Sequence, residues 1–131
     1  MLTAKQIMTS KIVTIHPSAT IAEAIELMLD RRVSGLPVVD EQGFLVGVIT
    51  EFALLAMAYD QHVTNQTVAE HMTRSVISVE VDDSVSRMAD QFIVHRVRRL
   101  PVVDRGRLVG LISRVDVLRA LYTCNAAVAT A

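Results

Sequence analysis

Short apolar runs alternate with stretches in which apolar residues recur every third or fourth position, and the whole sequence of patterns occurs twice. Val13-Thr14-Ile15 reads as a short extended segment, as does Ile77-Ser78-Val79. Ile21, Ala24, Ile25, Met28 and Leu29 recur at helical spacing, which predicts a helix from about Ile21 to Arg31. Thr20 and Glu23 form a T-x-x-E capping box immediately before it. Its counterpart runs from about Val85 to Val94, with Ser84 as N-cap and Val85, Met88, Ala89 and Phe92 on the apolar side. An apolar run opened by proline follows, Pro37 to Val39, and proline suits the first residue of a strand. Asp40-Glu41-Gln42-Gly43 and Asp104-Arg105-Gly106 are turn signals. The return strands are Leu45 to Ile49 and Leu108 to Ile112, and the short turns make each pair an antiparallel hairpin. Further helices are expected over Glu51 to Tyr59 and Arg114 to Tyr122.

The two halves align residue for residue. Met8-Thr9 falls over Met72-Thr73, Arg32-Val33 over Arg96-Val97, and Leu36-Pro37-Val38-Val39-Asp40 over Leu100-Pro101-Val102-Val103-Asp104 without change. One residue is dropped in the turn, after which Leu45-Val46-Gly47 matches Leu108-Val109-Gly110 and Tyr59 matches Tyr122. A period of about 64 residues is too long for a solenoid repeat and indicates a duplicated domain. The expected boundaries are 7–59 for the first copy, 60–71 for a polar linker, 72–122 for the second copy and 123–131 for a frayed tail. The fold class is α+β, each copy running β-α-β-β-α. A single copy would leave an apolar sheet face exposed, so two copies are expected to bury those faces about a pseudo-twofold axis.

Composition agrees with buried strands covered by helices: 51% of residues are hydrophobic, only 4% are aromatic and Trp is absent. The net charge of −1 gives no bias toward nucleic acid. The charge is uneven, however. Residues 1–71 carry four Lys/Arg against eight Asp/Glu, and residues 72–131 carry nine against six. A basic half suits an anionic ligand, or it is a solvated face that pairs with the acidic half. A lone cysteine, Cys124, permits no disulfide within the chain, and a cytoplasmic location is expected. The N-terminal residues lack the apolar core of a signal peptide, and no apolar run reaches a membrane span.

The residues M-T before the short strand, R-V-x-x-L-P-V-V-D, and G-h-h-[ST]-x-x-D at Gly110 to Asp116 (h, apolar) resemble the CBS motif of cystathionine-β-synthase-type domains. Two copies in register, from about Ile7 to Tyr122, resemble a tandem pair of the kind called a Bateman module. The resemblance implies a disc-like arrangement and a homodimer, head-to-head or head-to-tail. It also implies binding of adenine nucleotides, AMP above all, with ATP, ADP or S-adenosylmethionine as further ligands. Such modules regulate a partner, here expected on a separate chain.

The residues make that reading chemically concrete. Gly110 to Asp116 runs from a strand end into a helix start, where free N–H groups and the positive dipole end form a phosphate seat. Ser113 offers a hydroxyl, Arg114 a charge, and Asp116 a carboxylate able to accept both hydroxyls of a ribose. Ser113-x-x-Asp116 is equally an ordinary capping box. By resemblance, Thr9, Ile12 and Val13 would line the base, Val33, Ser34 and Pro37 would continue that wall, and Arg98, Arg99 and Lys11 would meet the phosphates. The first copy carries Ala53 in place of Asp116 and Glu51 in place of Arg114, so its site is expected to be weak or empty. That weaker site would draw on Thr50, Ile77, Leu100 and Pro101.

The four histidines show no H-x-x-x-H or H-E-x-x-H spacing, a single cysteine excludes a C-x-x-C zinc site, and no G-x-S-x-G, Walker A or G-x-G-x-x-G motif occurs. The expectation is a non-catalytic sensing module without a required cofactor. The alternative is a dimerising scaffold that needs no nucleotide.

Overall fold

A computed structural model describes the backbone of residues 2–130 and the side chains through Thr123. The chain divides into two compact units, Val13–Val76 and Met1–Ile12 with Ile77–Ala131. Chain order gives α1 (Ala4–Ile7), α2 (Ile21–Arg31), β1 (Gly35–Val39), β2 (Leu45–Thr50), α3 (Glu51–Met57), α4 (Gln61–Thr64) and α5 (Val68–His71). There follow β3 (Val79–Glu80), α6 (Val85–His95), β4 (Arg99–Asp104), β5 (Arg107–Ser113) and α7 (Arg114–Thr130). The unit of residues 13–76 holds three Lys/Arg and eight Asp/Glu, and the other holds ten and six. They are called the acidic and the basic unit below.

Each unit is a hairpin flanked by two edge segments. In the acidic unit β1 and β2 pair antiparallel. Ile15 bridges Val38 in parallel on one side, and Thr73 bridges Val48 antiparallel on the other. In the basic unit β3 lies parallel to β4, β4 pairs antiparallel with β5, and Thr9 bridges Leu111. Leu36, Val38 and Ile49 pack on Ile21, Ala24 and Met28 of α2 in one core, and Leu100, Val102 and Ile112 pack with Val85, Met88 and Phe92 of α6 in the other. Each of these side chains larger than alanine contributes about 1.5–3 kcal/mol by leaving water.

The edge segments cross between the sequence repeats. The Met8-Thr9 segment joins the unit formed mostly by the second copy, and Met72-Thr73 joins the first. Return-strand glycines make room for both methionines. A Cβ at Gly110 would stand 2.8 Å from Met8 Cγ, and one at Gly47 would stand 2.9 Å from Met72 Cγ. The short helices α1 and α5 precede these segments, each opened by a T-x-x-[QE] capping box: Gln6 accepts from the Thr3 N–H at 2.8 Å, and Glu70 accepts from the Thr67 N–H at 2.7 Å. Ala4 and Val68 are wholly buried in the two cores. The stretch expected to be a plain linker therefore carries α4 and α5.

Three local expectations differ from the structure for physical reasons. Proline is the third residue of β1, not the first. Pro37 faces Val48, whose N–H and C=O turn outward to Thr73, so the hairpin loses no hydrogen bond. Secondly, the extended segments begin later than Val13 and Ile77. Ile15 donates to the Pro37 carbonyl and accepts from Val39, and the preceding rung would need the N–H that Pro37 lacks. Pro101 cuts the second segment short in the same way, leaving Val79–Glu80 as β3. Thirdly, the α7 backbone continues to Thr130, past the expected end at Tyr122. Asn125 to Thr130 contains neither Gly nor Pro and is rich in Ala, the best helix former. The Cys124 side chain lies outside the described residues.

The turns show how one missing residue is absorbed. Arg105 and Gly106 take φ of 53° and 85°, the two-residue turn that suits a hairpin's twist. The longer first turn is held by Asp40 Oδ1, which accepts from the N–H groups of Gln42 at 3.0 Å and Phe44 at 2.9 Å. Among the described residues no helix is long and apolar enough to cross a membrane.

Candidate functional site

The best-equipped corner of the molecule is where β5 turns into α7 in the basic unit. The strand delivers Ser113 to the helix start, and the two ends are tied by a reciprocal capping box. The Ser113 N–H donates to Asp116 Oδ2 at 3.0 Å, and the Asp116 N–H donates to Ser113 Oγ at 3.2 Å. Arg119 lies 3.6 Å from Asp116 Oδ1. The Asp116 side chain keeps 29% of its surface exposed. A carboxylate has about four lone-pair directions, so the cap and the outer arginine leave acceptor capacity for a diol. The cap also fixes the carboxylate's rotamer beside the positive end of α7.

Sheet register then brings cations to this corner. Arg99 lies directly across β4–β5 from Ser113, and Arg98 precedes it. On the other edge Thr9 exchanges both backbone hydrogen bonds with Leu111, each at 2.9 Å. Exposed Lys11 and half-buried Ile12 follow in the same unit. Ser113, Arg114, Asp116, Arg98, Arg99, Thr9, Lys11 and Ile12 thus all belong to one unit. A helix N-terminus, a hydroxyl, a carboxylate and four cationic side chains suit a phosphorylated sugar.

Val13, Val33, Ser34 and Pro37 belong to the acidic unit. Val13 and Val33 pack against that unit's core, and Pro37 is buried in β1. Among the residues assigned to a weaker site, Leu100 is wholly buried in the basic unit's core and Pro101 is buried beside it in β4, so both side chains are committed to packing. Ile77 packs on that same core from its edge.

Thr50 caps α3, accepting from the Ala53 N–H at 3.3 Å, with no carboxylate to answer it. Its cross-strand partner is Gly35, where the basic unit has Arg99. By the repeat register Ser34, Glu51 and Ser75 stand where Arg98, Arg114 and Lys11 stand. All four cations are therefore absent from the acidic unit's corner. Sequence reading found Glu51 and Ala53 but missed Gly35 and Ser75. The signal for both was available in the alignment of the two copies. Among the described residues, no three His, Cys, Asp or Glu side chains group as a metal site.

Comparison with known proteins places this architecture. The chain matches the CBS domain family twice, over residues 4–59 and 68–123. It is 35% identical over 117 residues to the CBS domain-containing protein YhcV of Bacillus subtilis, covering 88% of this chain and 83% of that protein. Among solved structures, CBSX2 in complex with AMP superposes with a TM-score of 0.84 at 30% identity, covering 95% of this chain and 99% of that one. The CBS domain pair of protein MJ0100, in complex with 5′-methylthioadenosine and S-adenosyl-L-methionine, superposes with a TM-score of 0.77 at 32% identity, covering 94% and 98%. Other relatives are longer: the chain spans 42% of an uncharacterised protein and 22% of an L-aspartate semialdehyde sulfurtransferase, both from Methanocaldococcus jannaschii. With both halves matched and nearly the whole chain superposable on solved CBS pairs, the chain belongs to the CBS-domain family and carries two copies in tandem.

Proposed function

We propose that this chain is a non-catalytic regulatory module that binds an adenine nucleotide at one principal site centred on Asp116, and signals its occupancy to a partner protein. The observation that carries the proposal is the reciprocal Ser113–Asp116 cap at the start of α7, with Arg114 next to Ser113 in the chain and Arg99, preceded by Arg98, across the hairpin from Ser113. The adenosyl ligands held by CBSX2 and by the MJ0100 pair support the ligand class. Four cations favour phosphate-bearing ligands, AMP, ADP or ATP, over the sulfonium of S-adenosylmethionine. Binding acts by population shift, favouring whichever conformation the nucleotide contacts best. The module works as a cytoplasmic homodimer and acts on a regulated partner.

Isothermal titration with AMP, ADP, ATP and S-adenosylmethionine tests the reading. The wild type binds at least one phosphorylated adenosine with one site per chain. Asp116→Asn keeps an acceptor for the cap but loses the charge on the ribose, and its affinity falls by the about 1.5–3 kcal/mol of a charged hydrogen bond. Absence of heat with all four compounds, together with unchanged melting temperatures, removes the nucleotide from the function.

One observation favours a second reading, a scaffold that needs no nucleotide. Ser113 and Asp116 already satisfy each other as a helix cap. In that case Asp116→Asn leaves capture of the regulated partner unchanged, whereas the sensing module changes its capture with nucleotide and loses that response in the variant.

A further inference from the structure

A hydroxyl, an imidazole and a carboxylate come together in the acidic unit, at the loop between Ile15 and α2. Ser18 Oγ lies 2.7 Å from His16 Nδ1, and the Ser18 N–H donates to the same nitrogen at 3.1 Å. On the far side of the ring, His16 Nε2 stands 3.8 Å from Glu41 Oε1. The backbone bond fixes the tautomer. A ring nitrogen that accepts an N–H carries no hydrogen of its own, so neutral His16 is protonated at Nε2. The Ser18 hydroxyl therefore donates to Nδ1, and the Nε2–H side of the ring meets a carboxylate. Hydroxyl, base and carboxylate stand in the order that activates a serine, an arrangement defined by geometry and roles.

Backbone holds both sides of this group. The Ala19 N–H donates to the His16 carbonyl at 3.0 Å, closing the turn that brings Ser18 back to the ring, and the Pro17 carbonyl accepts from the Ala69 N–H at 2.9 Å. Glu41 follows Asp40, whose carboxylate fastens the hairpin turn. Ser18 is exposed and the His16 side chain keeps 41% of its surface, so a reagent reaches the hydroxyl without disturbing the core. The fold does not require the arrangement: Glu80 and Asp82 occupy the matched positions of the basic unit.

We propose that Ser18 is an acylation site, taking an acyl group from an activated ester with His16 as the base and Glu41 as a positioning residue. Oγ attacks the ester carbonyl carbon while its proton passes to His16 Nδ1. Collapse of the tetrahedral adduct breaks the bond to the alkoxide or phenolate, which leaves, and the acyl group stays as an ester on Oγ. The imidazolium faces Glu41 and then returns its proton to solvent. The N–H groups of Ser18, Ala19 and Thr20 are already engaged by His16 Nδ1, the His16 carbonyl and Glu23, so they give a developing oxyanion no seat. The transfer is thus a single modification of the chain without turnover, compatible with a non-catalytic module.

Treating the chain with p-nitrophenyl acetate and locating acetyl groups by peptide mass spectrometry tests the proposal. Acetyl should accumulate on Ser18 about a hundredfold faster than on any other serine, and His16→Gln should lower that rate by about the same factor with the melting temperature unchanged. Ser18→Ala should abolish the adduct while acetylation of lysines and the N-terminal amine continues. Glu41→Gln should slow labelling a few-fold, and Glu41→Asp, which keeps the charge, should recover most of the loss. Acetyl confined to amines, acetyl that stops on His16, or an unchanged Ser18 rate in His16→Gln overturns the proposal. Equal rates in wild type, Glu41→Gln and Glu41→Asp overturn the part given to Glu41. None of these readouts involves nucleotide, so they stand apart from the test of ligand binding.

Discussion

The acidic and basic units are two executions of one plan: they share the strand residues of their cores, fill the helix side with different apolar residues (Ala24 and Met28 against Met88 and Phe92), and differ in chemical kind at one corner. Both bury the same Leu-Pro-Val-Val strand, bulge at the same point in the hairpin, Val38/Val39 and Val102/Val103, and seat a methionine over a return-strand glycine. At the β-to-α corner they keep a hydroxyl cap, Thr50 or Ser113, and otherwise diverge: Arg98, Arg99, Arg114, Asp116 and Lys11 in one unit stand against Ser34, Gly35, Glu51, Ala53 and Ser75 in the other. Packing holds the framework in place because a lost core methylene is felt directly. The corner residues bear little of that load, so two copies with one framework can carry different chemistry.

The largest expected effect tests the shared part. Leu36→Ala and Leu100→Ala remove equivalent, wholly buried side chains, and each costs about 2–5 kcal/mol of unfolding free energy. Denaturant melts should place the two variants close together. A disparity approaching that whole range would show that the cores are not equivalent.

Transplanting the corner tests the divergent part. Ser34→Arg, Gly35→Arg, Glu51→Arg, Ala53→Asp and Ser75→Lys together give the acidic unit the groups it lacks. A second binding event for phosphorylated adenosine should appear by titration, with about 1.5–3 kcal/mol recovered per well-made charged hydrogen bond. If stoichiometry stays at one, the missing charges are not what separates the two corners.

Next come the glycines. A Cβ at Gly47 meets the Thr73 carbonyl oxygen at 3.0 Å as well as Met72, whereas one at Gly110 meets only the Met8 side chain among its nearest atoms. Methionine yields and backbone does not, so within the about 1–3 kcal/mol of an overpacked core Gly47→Ala should be the costlier. Equal losses would mean that Met8 is as firmly held as the backbone at Thr73.

The smallest effect concerns pH. Glu70 in the acidic unit has its pKa lowered, chiefly by the hydrogen bond from the Thr67 N–H, then by the Thr67 hydroxyl. Its counterpart Gln6 makes the same contacts and does not titrate. A carboxyl whose folded pKa is depressed adds stability above its unfolded pKa, and that stability is lost as pH falls through the folded value. The cap of α5 should loosen in mild acid and that of α1 should not, as read by amide exchange at each site. Glu70→Gln should remove the difference.

Much of this organisation was legible in the sequence because duplication supplies its own control. The hairpins, the helices α2 and α6 and the turn residues could each be read twice. The partner of each Met-Thr segment could not. Met8 faces near-identical strands in either copy, Leu45-Val46-Gly47 or Leu108-Val109-Gly110, and hydrophobic pattern cannot choose between equal surfaces. The helices α1 and α5 were hidden for another reason. They are four residues long, too short for periodicity, and only their T-x-x-[QE] caps betray them. In the candidate corner, Ser113 and Asp116 stood out in sequence, whereas the facing of Arg99 and Gly35 across the two hairpins required the strand register.

The crossing of the edge segments sets an order for the chain's maturation. On the ribosome, Val13–Val76 emerges as one continuous stretch and holds everything its hairpin requires. Met8 and Thr9 are made earlier still, yet the strand bearing Leu111 emerges only roughly a hundred residues later. The leading segment is thus translated first and seated last, and the corner bearing Asp116 is completed only when the two distant stretches meet.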